Sequence, residues 1–414
     1  MIDDSYDVIA VGGGPAGSST AATCAAGGLK TLLVEREAVP RFHVGESLMP
    51  ETYWPLERLG LVDRIKSAGW QAKKSVQFVT HDGRESEPFF FDQYDDRPCS
   101  TTWQVERSEF DQMIFDRAAE LGADTVDRTR LVDVHMDGDR VTAVDLKTAD
   151  GHTRTVACKV LADGTGQQSF LANKFGLKEI NPDLKKAAIW SYYRGAVRGD
   201  GDNSGATIIL HTDTKDAWFW FIPLSRGITS VGCVSDNDYL LKGRGTPEQV
   251  YADELSRCPG LQTRLADATR VGDVKVAKEF SYMTKRNAGD GWVLVGDALG
   301  FIDPVYSSGV YFALEMGVRA GETIVEGFQK NDLSATHLSS WCDEFKEGVQ
   351  WVRKLVGAFY TKEFSIGRFM KEHPEHRDNV TDLLIGRVFH EDAGKMFDDM
   401  ERSIERAKAL AVGA

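Results

Sequence analysis

The chain has 414 residues, 42% of them hydrophobic and 27% charged, which excludes global disorder and is too long for one small domain. Lysine and arginine number 49 against 63 aspartates and glutamates, and the net charge of −14 makes the chain as a whole a poor binder of nucleic acid or of an anionic membrane. The six cysteines (Cys24, Cys99, Cys158, Cys233, Cys258 and Cys342) show no CxxC or other ligand spacing, which points to reduced thiols in a cytoplasmic protein and to no metal site. The N-terminus is acidic and runs directly into a strand, so no signal peptide is expected. No apolar run of about twenty residues indicates a membrane span.

Taken in chain order, residues 6–11 form a short apolar run that reads as a strand. GGGPAG follows, and then the small-residue segment SSTAATCAA, closed by Gly27 and Gly28, reads as a helix. KTLLVE (30–35) is a second buried strand. Residues 103–120 read as a strand end followed by an amphipathic helix. Residues 130–156 alternate apolar and polar positions, with Asp-Gly pairs at 137–138 and 150–151, which predicts an antiparallel meander. Residues 160–163 are a further short strand. Several strand-like runs lie within 186–235 (AAIWSYY, ATIILH, AWFWFIPL, TSVGCV) and suit a sheet forming one wall of a substrate chamber. Residues 292–296 are another buried strand, and from 309 onward the chain reads as mostly helical.

Gly12, Gly14 and Gly17 form GxGxxG between the first strand and the first helix, with Pro15 and Ala16 inside the motif. Glu35 lies at the end of the second strand, eighteen residues past Gly17. Gly12 permits the tight turn, Gly14 lets backbone amides approach a pyrophosphate, and Gly17 lets the helix pack on the strand; the helix N-terminus favours the anion. Glu35 would accept hydrogen bonds from an adenosine ribose, and Arg36 would meet solvent or adenine. Two later segments favour FAD over NAD: LADGTG, carrying Asp163, and GDALG, carrying Gly296 and Asp297. A ribityl chain has three hydroxyls that need partners beyond the first βαβ unit, and a carboxylate at a strand end suits them.

The sequence resembles the FAD-dependent aromatic hydroxylase superfamily, and within it the flavin-dependent halogenases that act on pyrrole or phenol groups, often tethered to a carrier protein. The resemblance covers nearly the whole chain and is carried by GGGPAG (12–17), PRFHVGESL (40–48), WQVERSEFDQM (103–113), ADGTG (162–166), WFWFIP (218–223), GDALGFIDPVYSSGV (296–310) and LLIGRVF (383–389). It implies an α/β fold with a Rossmann-like FAD-binding domain assembled from 1–50, 100–170 and 275–330. A sheet-rich substrate region at 51–99 and 171–274 and a helical C-terminal part at 331–414 would complete it.

For the site, the resemblance implies that Arg107 contacts the flavin nucleotide and that Gly45, Glu46 and Ser47 line the flavin. WFWFIP fits the halogenase WxWxIP pattern; Trp218 and Trp220 would wall substrate off from flavin, so that the oxidant meets a small anion first. Lys73 in GWQAKKSVQF matches the halogenase active-site lysine, with Lys74 its alternative. Backbone amides at Ser308 and Gly309 would hold halide, and Val310 would stand beside the flavin. Tryptophan halogenases carry a glutamate after DP where this chain has Tyr306, which argues against free tryptophan as substrate; Glu46 is the remaining candidate for a proton network. His43 reads as structural. The stretch 348–364, with Arg353, Lys354 and Lys362, is either a cover helix or a docking face for an acidic carrier protein.

The activity so implied is oxidation of chloride or bromide to hypohalous acid with FADH2 and O2, followed by halogenation of an electron-rich aromatic ring. Only one GxGxxG unit is present, so reduced flavin would come from a separate flavin reductase. The protein is expected to be a monomer or homodimer that binds neither nucleic acid nor membrane. The alternative is a hydroxylase or isoprenoid reductase of the same superfamily; a flavoprotein serving only as a scaffold is the non-enzymatic reading.

Overall fold

The computed structural model describes residues 2–412. Two sheets organise them. The first is built on the strand Ser5–Val11, flanked by Thr31–Val34 on one side and Thr153–Asp163 on the other, all parallel; Asp124–Val126 and Trp292–Leu294 extend it in parallel outward, and Ala288–Gly289 adds an antiparallel edge. The strands Arg130–Asp137 and Arg140–Lys147 form the predicted meander with Thr153–Asp163. Val8, Ile9, Ala10, Leu32 and Leu33 have no exposed surface, because a parallel sheet is covered on both faces.

One cover is the helix Pro15–Ala26, buried nearly all round, which explains why its sequence is small residues rather than an amphipathic pattern. It packs against the long helix Gly309–Lys330 at backbone distance. A Cβ on Gly317 would stand 2.0 Å from Ser19 Oγ and 2.4 Å from the Ala16 carbonyl oxygen. The predicted amphipathic helix is Arg107–Glu120, and it covers the same helix from another side.

The second sheet runs Gly300–Phe301, Lys275–Thr284, Lys178–Arg194, Ile228–Asp236, Ala217–Pro223, Thr207–His211, Ser75–Val79, Phe89–Phe90. It is antiparallel apart from the pairing of Thr207–His211 with Ser75–Val79. Every residue of Ala217–Pro223 is buried. Trp218, Trp220 and Ile222 belong to the main core, whereas Ala217, Phe219 and Phe221 belong to a second core with Tyr251 and Leu261. Period-two alternation thus serves two apolar layers at once, and the run reads as continuously hydrophobic.

Residues 275–284, at the start of the 275–330 segment expected to complete the nucleotide unit, pair along Lys178–Arg194 in the second sheet, from Trp190↔Lys275 to Lys178↔Thr284. The long strand's free edge needs partners for its amides and carbonyls, and this segment supplies them.

A two-stranded ribbon pairs Gln71–Lys73 with Thr102–Gln104 and sets Lys73 opposite Thr102. The isolated bridge Ser47↔Gln104 fastens the 45–47 loop to the same ribbon. The C-terminal part is helical as expected, with Cys342–Phe359, Ile366–Glu372, Arg377–Ile385 and Phe397–Val412. Among the described residues, no helix is long and apolar enough to cross a membrane.

Candidate active site

An extended cleft runs from the carboxyl ends of the parallel strands to the second sheet. Its first end is lined by Gly12, Gly14, Pro15, Ala16, Glu35, Arg36 and Arg41. The three glycines of GxGxxG do separate jobs. Gly12 has φ +103°, and a Cβ there would stand 2.1 Å from the Gly164 carbonyl oxygen; one on Gly17 would stand 2.1 Å from the Gly12 carbonyl oxygen. Gly17 therefore packs helix on strand and does not face the cleft. Gly14 does face it, and a Cβ there would meet only the tip of Arg41, 3.3 Å away.

Glu35 closes this end. Its Oε2 accepts from the Gly13 amide at 2.8 Å and lies 3.2 Å from Arg41 Nε; Oε1 accepts from the Glu37 amide at 3.0 Å. Arg36 is exposed and donates to Gln168 Oε1 at 2.8 Å. Arg41 joins Glu35 to Asp111, which Arg107 also grips through Nε at 2.8 Å and Nη2 at 3.1 Å. Burial would raise the Asp111 carboxyl, but the two guanidiniums outweigh it and hold the group below the ordinary carboxylate range. Arg107 also donates to the Val44 and Gly45 carbonyls, so it pins the Gly45–Glu46–Ser47 loop to the cleft wall.

Glu46 is buried in that wall, with Oε1 accepting from Tyr192 at 2.7 Å and no hydrogen-bond partner for Oε2 among the described residues. Desolvation pushes its carboxyl up to about 7. Ser47 Oγ shares a hydrogen bond with Thr207 Oγ1 at 2.8 Å and accepts from Lys73 Nζ at 2.9 Å. Lys73 is 2% exposed and also donates to the Leu48 carbonyl at 2.9 Å. It does not form the cleft surface; it stands one side chain behind, with Ser47 and Thr207 between. Burial pulls its ammonium down to about 7, so near neutrality the amine is present in both protonation states. Lys74 points the other way and pairs with Asp202 at the surface.

The far end is aromatic. Trp190, Trp218 and Trp220 line the cleft; the Trp218 and Trp220 rings are 6.4 Å apart, and those of Trp190 and Trp220 6.3 Å. Trp220 Nε1 donates to Ser230 Oγ at 3.1 Å and Trp218 Nε1 to the Tyr360 hydroxyl at 3.0 Å, whereas Trp190 Nε1 has no partner among the described residues.

The 296–310 segment forms the floor. Gly296 is buried behind the surface against Ala16. Asp297, Gly309 and Val310 line the cleft, and burial pushes the Asp297 carboxyl up to about 6. Ser307 takes φ +58°, and the following turn opens the helix Gly309–Lys330, with Ser308 as its cap. Ser308 is buried beside a small secondary cavity rather than the main cleft; Asp297 and Gly309 border both. Tyr306 is turned away from the cleft toward Phe359 and the Leu355 carbonyl.

Asp163 does not reach the cleft. Its Oδ1 accepts from the Thr165 amide and hydroxyl at 3.0 and 2.6 Å, and its Oδ2 from the Leu171 amide at 2.7 Å. A fully buried carboxylate finds its donors within the turn it ties, and its neighbours Gly164 and Thr165 line the cleft in its place. The stretch 348–364 packs as a cover: Phe359 and Tyr360 point inward, and Lys354 and Lys362 are engaged with Glu401 and Asp216. Sequence reasoning passed over Arg41, Asp111, Tyr192 and Tyr360, each of which joins segments far apart in the chain.

Residues 5–326 match the family model described as an FAD binding domain. A 1H-pyrrole-2-carbonyl (peptidyl-carrier protein) brominase of Pseudoalteromonas luteoviolacea is 33% identical over 388 residues, 93% of each chain. The chain belongs to the flavin-dependent halogenases. A related chlorinase of Pseudomonas fluorescens, named for the same carrier-bound group, is 28% identical over 430 residues, covering 99% of this chain and 95% of that one. The solved structure of the flavin-dependent brominase Bmp2 superposes with a TM-score of 0.87 at 32% identity, over 97% of this halogenase and 99% of that chain. The halogenase is an FAD enzyme that uses halide and O2, and the hydroxylase and reductase alternatives are not favoured.

The residues present fit FAD. The opening at Gly14 admits a pyrophosphate to the helix N-terminus, and two orphaned polar atoms, Glu46 Oε2 and Trp190 Nε1, belong to side chains on the same cleft.

Proposed function

We propose that this halogenase modifies an electron-rich ring of the pyrrole type while the ring is tethered to a peptidyl carrier protein. FAD would lie along the cleft with its pyrophosphate against Gly12–Gly17, its ribose on Glu35, and its ring system beside Glu46, Ser47, Arg107, Asp297, Gly309 and Val310. When bound and reduced, FAD with O2 supplies the oxidising equivalents that turn chloride or bromide into hypohalous acid. Ser308 and Gly309 hold the halide at the amide end of a helix, where the dipole favours an anion. Trp218 and Trp220 keep the aromatic substrate from the flavin side, so only a small oxidant passes. Lys73, partly neutral and held on Ser47, keeps that oxidant next to the ring, which is substituted electrophilically. Glu46 accepts or returns a proton beside the reacting centre. Reduced flavin comes from a separate reductase. The protein works in the cytoplasm as a monomer or homodimer, and its six cysteines are free and buried.

The observation that carries this reading is one cleft with a dinucleotide turn at one end, a three-tryptophan wall at the other, and a buried lysine one side chain behind its middle. Mass spectrometry of a pyrrolyl carrier-protein conjugate, incubated with the enzyme, FAD, a flavin reductase, NADH and bromide or chloride, tests it. Added halogen mass on the conjugate is expected. Halogenation of the free acid but not the conjugate would refute the tethered substrate; hydroxylation without halide dependence would refute the wall.

A further inference from the structure

Outside the flavin cleft, the C-terminal helical region reaches the site's working parts at the end of its first long helix. The helix Cys342–Phe359 ends on two aromatic residues, Phe359 and Tyr360. Phe359 sets its ring against Trp218 at 5.8 Å, Tyr306 at 6.2 Å and His211 at 5.4 Å. Tyr360 does something more specific. Its hydroxyl accepts from Trp218 Nε1 at 3.0 Å and donates to Asp303 Oδ2 at 2.7 Å. The other oxygen of Asp303 accepts from the Val305 amide at 3.1 Å, inside the turn that leads to Ser307, Ser308 and Gly309. One phenol therefore joins the tryptophan wall to the base of the turn that opens the long helix.

The corner is held on its other sides too. Lys186 Nζ sits 3.8 Å from the centre of the Tyr360 ring, and its own ion pair with Asp236 fixes it there. Lys362 pairs with Asp216, the residue just before the wall strand Ala217–Pro223. An indole N–H has one donor and no acceptor, so its orientation is set by whichever acceptor it finds. Asp303 is 4% exposed and buried carboxyls need donors, so the turn's geometry depends on the one Tyr360 supplies.

We infer that Tyr360 is a positioning residue that holds the Trp218 indole and the 303–309 turn in register. It thereby sets both halide affinity and the tightness of the wall. This rests on the proposed roles of Trp218 and of Ser308–Gly309, and it gives the C-terminal region a part in the reaction. Removing the hydroxyl frees the indole to turn and leaves Asp303 short of a donor, while the ring's packing on Phe359 and Lys186 stays.

The test uses full-length Tyr360→Phe loaded with FAD, beside Asp303→Asn and a control, Lys354→Ala, on the outer face of the same helix. Bromide is titrated into oxidised holoenzyme while the flavin absorption is followed, which reads halide binding without turnover. In turnover, an enolic diketone that traps free hypohalous acid is included, and the ratio of halogenated substrate to halogenated trap is measured. Tyr360→Phe is expected to weaken bromide binding about tenfold and to move the ratio toward the trap. Asp303→Asn should weaken bromide binding in the same direction, and Lys354→Ala should change neither reading. Wild-type bromide binding and product ratio in Tyr360→Phe would overturn the inference, as would a loss of thermal stability with both readings unchanged. If Tyr360→Phe does not retain FAD, Asp303→Asn decides, and unaltered bromide binding there overturns it. Failure of the underlying reading shows itself separately, as a wild-type enzyme in which bromide neither perturbs the flavin nor yields trapped oxidant.

Discussion

Replacing Lys73 separates a buried neutral amine from a buried charge. Burial draws its pKa from 10.5 down to about 7. The folded state then holds the proton more weakly than the unfolded chain, so stability falls as pH falls from about 10.5 to about 7 and levels off below. At pH 7 that penalty is about 4 kcal/mol, from 1.36 kcal/mol per unit. Lys73→Met removes it and nearly conserves volume, but it strips the donors from Ser47 Oγ and the Leu48 carbonyl, a loss of about 1–3 kcal/mol. The variant should therefore be about 2 kcal/mol more stable than wild type at pH 7 and about as much less stable above pH 10.5. Urea unfolding of the FAD-loaded protein at pH 7 and at pH 10.5 measures this. Halogenated product should meanwhile fall by about 100-fold or more, in line with loss of a positioned proton-transfer or relay group. Lys73→Arg should fail equally, since its pKa above 12 leaves no neutral form, and Lys74→Ala should keep activity because its exposed pair with Asp202 is worth at most about 1 kcal/mol. Equal destabilisation of Lys73→Met at both pH values would refute the neutral amine. Near-normal product from the same variant would refute the relay.

Three further outcomes are expected. Trp218→Ala and Trp220→Ala should each cost about 3–5 kcal/mol, and the folded fraction should release more oxidant to a chemical trap; tight coupling in both would remove the barrier role. Glu46 is raised from 4.5 to about 7, so its burial costs stability that appears as pH rises through that window and stays above it; Glu46→Gln should gain stability above pH 7, none below pH 4.5, and lose any step in kcat near pH 7. Gly17→Ala should fail to fold or to hold FAD because its Cβ would sit 2.1 Å from the Gly12 carbonyl oxygen, whereas Gly14→Ala should fold normally and bind FAD about tenfold more weakly, which fluorescence titration distinguishes.

Signals confined to one short segment were legible. GxGxxG carries its own turn, strand and helix, and Glu35 returns to it through the adjacent strand, contacting the Gly13 amide. The two tryptophans of WFWFIP were legible as one face because a strand puts every second residue on the same side. The meander at 130–156 followed from alternation and two Asp-Gly turns. What a short segment does not show depends on pairing and on partners beyond it. Nothing within residues 275–284 says which sheet they join; the free edge of Lys178–Arg194 decides it. Asp163 read as a ligand because carboxylates at strand ends commonly face a cleft; here three local donors had already claimed both oxygens.

The same distinction explains why the resemblance that singles out Lys73 over Lys74 does not locate it. In the ribbon Gln71–Lys73, the pairing with Thr102–Gln104 turns Lys73 inward, while Lys74 leaves the ribbon toward Asp202. That much is a one-residue alternation. Its position behind Ser47 requires a loop twenty-six residues earlier and a strand at Thr207–His211 that brings Thr207 to the same oxygen. Lys73 thus faces the cleft across the Ser47 hydroxyl, which Thr207 also holds. Ser47→Ala would leave Lys73 Nζ with the Leu48 carbonyl and the Phe91 ring, 5.8 Å from its centre, and open a gap toward the cleft. If Lys73 works by direct contact with the oxidant, that gap should maintain or raise product formation. If it works through the Ser47 hydroxyl, product should fall as far as in Lys73→Met, both variants being compared at saturating FAD.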